Sequence, residues 1–121
     1  MKTKVVLILA CFLLLASGLS LAREASPERG NELFESPALG GGTTGKSCSS
    51  CHPGGSGLSR ALFDKKSFTI MGQEKDSLAG VINVCIEKAL GGTAIDPKGE
   101  DMADLIAYIK TLVLSGKKSK K

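Results

Sequence analysis

Cys48-Ser49-Ser50-Cys51-His52 is the stretch from which the rest of this chain is read. Two thiols three positions apart, followed at once by an imidazole, make the pattern C-x-x-C-H. Each thiol can form a thioether with one vinyl group of a haem, and the adjacent histidine is then held under the ring as an axial iron ligand. The two serines are small enough to let the backbone bend tightly between the attachment points. Three plainer readings compete. Half of a zinc site needs a second ligand pair, but His52 is the only histidine and no other C-x-x-C occurs. A thioredoxin-like redox pair needs βαβ patterning around it, which is missing. A structural disulfide joins more distant cysteines, because closing so short a loop gains little. The expectation is one covalent haem c on Cys48 and Cys51, with His52 as proximal iron ligand.

The compartment suits that chemistry. Residues 1–22 have the form of a secretory signal peptide: Lys2 and Lys4 precede an apolar run from Val5 to Leu15, and Ser20-Leu21-Ala22 offers small residues at both key cleavage positions. As an uncleaved anchor, Val5 to Ala22 is marginal in length and weakened by Ser17, Gly18 and Ser20. A lipid-modified Cys11 would need a better-formed box than Ile8-Leu9-Ala10. Cleavage after Ala22 is expected, giving a periplasmic or extracellular protein with no stable membrane insertion. Residues 23–115 then form one small domain, and residues 116–121 a Lys-rich disordered tail.

That domain is poor in large side chains. Of four phenylalanines one, Phe12, lies in the leader; one tyrosine and no tryptophan complete the aromatics. A domain near the lower size limit for a self-sufficient core gains from the bulk of a haem. The formal net charge of the 121-residue chain is +4; removing Lys2 and Lys4 leaves +2, and setting aside Lys117, Lys118, Lys120 and Lys121 leaves −2. No basic helix and no basic–aromatic interleaving points to nucleic acid.

Along the chain, Ser26-Pro27-Glu28 reads as a helix start, with a capping serine, a proline suited to the first position and an acid matching the dipole. This helix runs to about Glu35 with Gly30, Leu33 and Phe34 facing inward, and Pro37 stops it. Leu39 to Gly45 reads as a flexible glycine-rich lead-in, without the strand and frame of a phosphate loop. Pro53 to Gly57 breaks regular structure after His52 and lets backbone approach a flat cofactor. Leu58 to Phe63 is a short helical candidate, and Asp64 to Gln73 reads as irregular. From Asp76 to Leu90, Leu78, Val81, Ile82, Cys85, Ile86 and Ala89 recur at helical spacing, ending at Gly91. Glu100, Asp101 and Asp104 open a last helix with the stripe Met102, Leu105, Ile106, Ile109, Leu112 and Val113, closed by Gly116. No period-two run is long enough for a strand, so the expected class is all-α.

Gly30 and Phe34 in the first helix, the Cys48–His52 motif, and Asp104-Leu105, Ala107-Tyr108 and Lys110 in the last helix together make the chain resemble the class I cytochrome c superfamily. The resemblance implies a cytochrome c fold: three to four helices around one covalently attached haem, with the N- and C-terminal helices crossing. Gly30 and Phe34 would then meet Leu105 and Tyr108. Class I members usually supply a distal methionine from the loop before the last helix, and here Gly91 to Gly99 contains none. Instead Ile82-Asn83, Cys85, Leu90-Gly91-Gly92, Glu100 and Met102 are similar to the haem modules of thiosulfate-oxidising cytochromes, in which a cysteine at the position of Cys85 can be the sixth ligand.

Cysteine arithmetic agrees. Cys11 leaves with the leader and Cys48 and Cys51 go to haem, so Cys85 is the one thiol left in an oxidising compartment. Its plainer role is that of a small buried hydrophobe. Cys85 is the first candidate for the distal iron ligand, Met71 in the irregular Ser67–Lys75 stretch is the alternative, and Met102 at the start of a packed stripe stands behind both. An open sixth position is the remaining arrangement.

The function expected is an exported monohaem c-type cytochrome carrying one electron between redox protein donors and acceptors. The alternative is a haem–thiolate module or subunit in oxidation of reduced sulfur compounds, and a haem sensor is the third. An independent enzyme is not expected: no catalytic residue is assigned, because there is no second cofactor motif, no nucleophile–base pair, and the one histidine goes to iron.

Overall fold

The computed structural model describes residues 22–115. The expected leader, apart from Ala22, lies outside the described residues, as do Gly116 and the Lys-rich tail. Ser26 starts helix α1, Pro27–Glu35, its Oγ accepting from Arg29 N–H at 3.1 Å. Gly30, Leu33 and Phe34 are its buried residues, the three that its sequence sets on one face.

The last helix owes its position to α1. Helix α2 is the single turn Cys48–Cys51, α3 spans Leu78–Lys88 and α4 spans Glu100–Ser115. The α1–α4 crossing is the most extensive contact between elements. Gly30 lies against α4, where a Cβ would collide with the Asp104 carbonyl oxygen and come within 2.7 Å of Tyr108 Cβ. One turn on, the Phe34 and Tyr108 rings meet edge to face at 5.4 Å. Gly30 thus opposes the Asp104 backbone and Tyr108 Cβ, and Leu105 is fully buried in the same core cluster as Phe34.

Asp104 is more than a helix-opening acid. It has no exposed surface, and its two oxygens accept from Arg23 Nη2 and from Ser26 N–H, each at 2.7 Å. The Arg23 bond, with help from Ser26, holds its carboxyl below the usual range against the opposing effect of burial. This acid joins the segment before α1 to the second turn of α4.

Between these helices the glycine-rich stretch is not the flexible lead-in its composition suggests. Thr43 and Thr44 N–H both donate to Leu90 O, at 2.8 and 3.1 Å, and Thr93 N–H donates to Gly40 O at 2.7 Å. Thr43 Oγ1 and Thr44 Oγ1 add bonds to Gly91 O and Ala89 O at 3.0 and 2.9 Å. Composition could not show this, because the partners lie more than forty positions away on the exit from α3. Gly91 makes that exit possible with φ +69°, and Gly92 N–H turns back to Ile86 O. The following loop is pinned by Asn83, whose side-chain amide exchanges two 2.9 Å bonds with the backbone of Ile95.

The 64–73 stretch, irregular by sequence pattern, instead contributes to a hairpin. Strands β1, Phe68–Ile70, and β2, Gln73–Lys75, pair antiparallel with Phe68 opposite Lys75 and Ile70 opposite Gln73. The described residues are therefore mostly helical with one short hairpin, rather than wholly helical. Three-residue strands leave no usable alternation, and the pair is held by packing on α3. Short 3-10 turns occupy Leu39–Gly41, Pro53–Gly55 and Arg60–Phe63; the first two each include a left-handed glycine, Gly40 and Gly54.

Candidate functional site

Ser47 N–H donates to Ser50 Oγ at 2.9 Å, so a serine between the two cysteines closes the start of α2. The other, Ser49, donates from Oγ to Glu35 Oε2 at 2.6 Å and ties this turn to the end of α1. The serines are therefore structural participants, beyond being small. One helical turn places Cys48 and Cys51 on the same side, since residues three apart on a helix are neighbours.

His52 follows with its N–H bonded to Cys48 O at 2.9 Å. The Pro53–Gly55 turn then folds the backbone so that Ser56 O lies 2.8 Å from His52 Nδ1. A carbonyl can only accept, so Nδ1 carries the hydrogen, and in the neutral ring Nε2 keeps its lone pair. Orientation of a ligating imidazole by such a bond is the usual second support of a metal ligand. Gly57, at φ +79°, passes beside the ring, where even a Cβ would come no nearer than 3.6 Å to Nδ1.

These residues open onto a cleft with about 100 Å³ of interior, partly open to solvent. Phe34, Leu58, Leu90 and Ile109 supply its apolar walls, and Cys48, Cys51, His52, Cys85 and Met71 all line it. Cys85 arrives from α3, whose apolar stripe divides in two. Ile82 and Ile86 go to the core, while Cys85 and Ala89 line the cleft. Val84, outside the stripe read from sequence, is buried as well, on the helix that carries the hairpin.

Burial pushes the Cys48 thiol up to about 11, with Cys85 adding to the effect. Cys85 is raised by burial too, and then by Cys51. A raised pKa is the opposite of the shift that primes a catalytic thiol, so neither Cys48 nor Cys85 is activated as a thiolate nucleophile here. Among the described residues all three cysteines are unbridged, and no three His, Cys, Asp or Glu side chains converge to hold a bare metal ion.

The two methionine candidates part company. Met102 is 1% exposed within the core and does not line the cleft. Met71 is 58% exposed and sits at the cleft, on the two-residue turn between β1 and β2. Its φ of +48° makes it the one non-glycine residue with positive φ among the described residues. That conformation costs an L-residue about 1–2 kcal/mol. A turn with both central residues left-handed favours Asn-Gly, so Met71-Gly72 gave little warning of a hairpin.

The residues present fit a covalently held haem by their donor chemistry. Two thiols from one turn, an imidazole with Nε2 free to ligate, apolar walls and a sulfur from a different element are what attachment and axial ligation require. No helix among the described residues is long and apolar enough to cross a membrane. No protein-family model matches the chain, and neither a curated protein nor a solved structure does.

Proposed function

We propose that this chain is an exported monohaem c-type cytochrome, with the fold of the class I cytochromes c, acting as a one-electron carrier between larger redox proteins. The observation that carries the reading is the convergence of Cys48, Cys51, His52 and Cys85 on one apolar cleft, with His52 Nδ1 already committed to Ser56 O. When bound, haem supplies a metal that changes charge by one electron. The chain's own residues do the rest. Cys48 and Cys51 would fix the ring covalently, and His52 would present Nε2 to the iron in a set orientation. Cys85 would approach from α3 as distal ligand. Phe34, Leu58, Leu90 and Ile109, which line the cleft, would exclude water from the bound group and so help set its potential along with the ligands.

The position of Cys85 also favours the second reading, a haem–thiolate module in oxidation of reduced sulfur compounds, because a thiolate ligand lowers the potential of a simple carrier. Redox partner proteins are proposed for either case. The test is maturation in a cell that exports and attaches haem, followed by acid–acetone extraction and intact mass. Haem retained by the protein, with a mass one haem above the apo chain, supports attachment. Haem extracted into the organic layer overturns it. Turnover of thiosulfate by the isolated chain would move the sulfur-oxidation reading ahead of the carrier.

A further inference from the structure

We propose that Met71 is a second iron ligand of this same cleft, serving the reduced state while Cys85 serves the oxidised one, so that transfer of one electron exchanges one protein sulfur for the other. The inference rests on the covalent-haem reading above.

The two sulfurs share a cleft but are held in opposite ways. Cys85 lies within the eleven-residue helix α3, between Val84 and Ile86, which are 1% and 0% exposed. It has side-chain rotation to offer and little else. Met71 stands at the tip of a hairpin whose first strand begins with Phe68, 8% exposed and so anchored. At the tip the anchoring ends: Met71 is 58% exposed, and a Cβ on Gly72 would find nothing within 4 Å. The end of the hairpin is thus loosely packed, with open space around Gly72. A long unbranched thioether held in a left-handed turn beside an apolar cleft is strained and under-buried at once, and strain of this kind collects where a residue has a task.

Coordination chemistry decides which sulfur serves which state. The anionic thiolate stabilises the more highly charged ferric iron, and the neutral, soft thioether suits ferrous iron. A donor protein gives one electron, and Fe(III) becomes Fe(II). The bond to Cys85 Sγ breaks with both electrons remaining on sulfur, which takes a proton from water. Met71 Sδ donates a lone pair to the vacated position. Oxidation by an acceptor protein reverses each change. Met102, sealed in the core, has no part in the exchange.

The test uses the mature haem protein, with Met71→Leu and Cys85→Ser beside the wild type, examined by absorption and resonance Raman spectroscopy in both oxidation states and by film voltammetry over a range of scan rates. The wild type should show thiolate ligation when oxidised and lose it on reduction while staying low-spin. Its oxidative and reductive peaks should separate at fast scans, because each state starts from its own ligand. Met71→Leu, an exposed and near-isosteric change, should leave the ferric spectrum intact and turn the ferrous form high-spin. Cys85→Ser should leave the ferrous spectrum intact and give one reversible wave at every scan rate. A thiolate retained on reduction, or a ferrous spectrum unchanged by Met71→Leu, overturns the exchange and leaves the haem reading standing. Absence of covalent haem ends both.

Discussion

Replacing Gly30 by alanine sets two known effects against each other. In an exposed helix the change stabilises by about 1 kcal/mol, because glycine costs more backbone entropy. Here the added methyl points into the α1–α4 crossing, overlapping the Asp104 carbonyl and reaching 2.7 Å from Tyr108 Cβ. Both obstacles are fixed to helix α4, so neither can swing aside, and the helices must part. Overpacking of this kind costs about 1–3 kcal/mol. Parting also lengthens the 2.7 Å bond from Ser26 N–H to Asp104, a charge-assisted bond of about 1.5–3 kcal/mol, and loosens the Phe34–Tyr108 edge contact. The net expectation is a loss of about 2 kcal/mol, or a fall in Tm of roughly 8–16 °C for a domain of this size. The assay is thermal unfolding of the mature protein by far-ultraviolet circular dichroism. Gly45→Ala is the comparator: its φ is +76° with open space around it, so the conformational penalty of about 1–2 kcal/mol acts alone. A Gly30→Ala protein that melts at or above the wild-type temperature would refute the crossing as described.

Three further outcomes follow from the same contacts. Asp104 has a depressed folded-state pKa, so its contribution is complete above the unfolded carboxylate value of about 3.9 and is lost as pH falls through the lower folded value. Denaturant midpoints should therefore fall on acidification below about pH 4, and more steeply than in Asp104→Asn, which starts weaker but lacks this titration; parallel curves would disprove the assignment. Asn83→Ala removes both bonds to Ile95 and should cost about 1–3 kcal/mol, with faster hydrogen exchange at the Ile95 amide as the specific sign. Thr44→Val deletes the bond to Ala89 O at nearly constant volume and should cost roughly 0.5–1.5 kcal/mol in a urea titration; an unchanged midpoint would mean the glycine-rich stretch is not held there.

What could be read in advance was what local rules govern. Ser26 and Pro27 mark a helix start by their own chemistry, and the 3.6-residue rhythm locates α3 and α4. The cysteines and histidine announce themselves by spacing alone. What escaped depends on partners far along the chain. Asp104 looks like a surface acid until Arg23 and Ser26 are seen around it, and Thr43 and Thr44 look like loop residues until they meet Leu90. The hairpin escaped because its turn is built from Met71, a residue that disfavours the conformation it adopts. For the distal position, sequence left Cys85, Met71 and Met102 open; the fold sets the first two at the cleft and buries the third elsewhere, a sorting that no spacing rule contains.

The bond between Ser26 and Asp104 spans 78 positions, and every residue lining the cleft from Phe34 to Leu90 falls inside the loop it closes. Bringing such distant positions together costs about 4 kcal/mol of chain entropy before any contact returns it. Helix α1 therefore lacks its most extensive docking partner until α4 has been synthesised, so its main packing contact waits on the final element of the described residues. Until that moment Phe34 and Ile109, on opposite sides of the delay, cannot both wall the cleft. The Cys48–His52 turn is accordingly more reachable from outside before the last helix docks, and that is the interval in which the proposed macrocycle would enter.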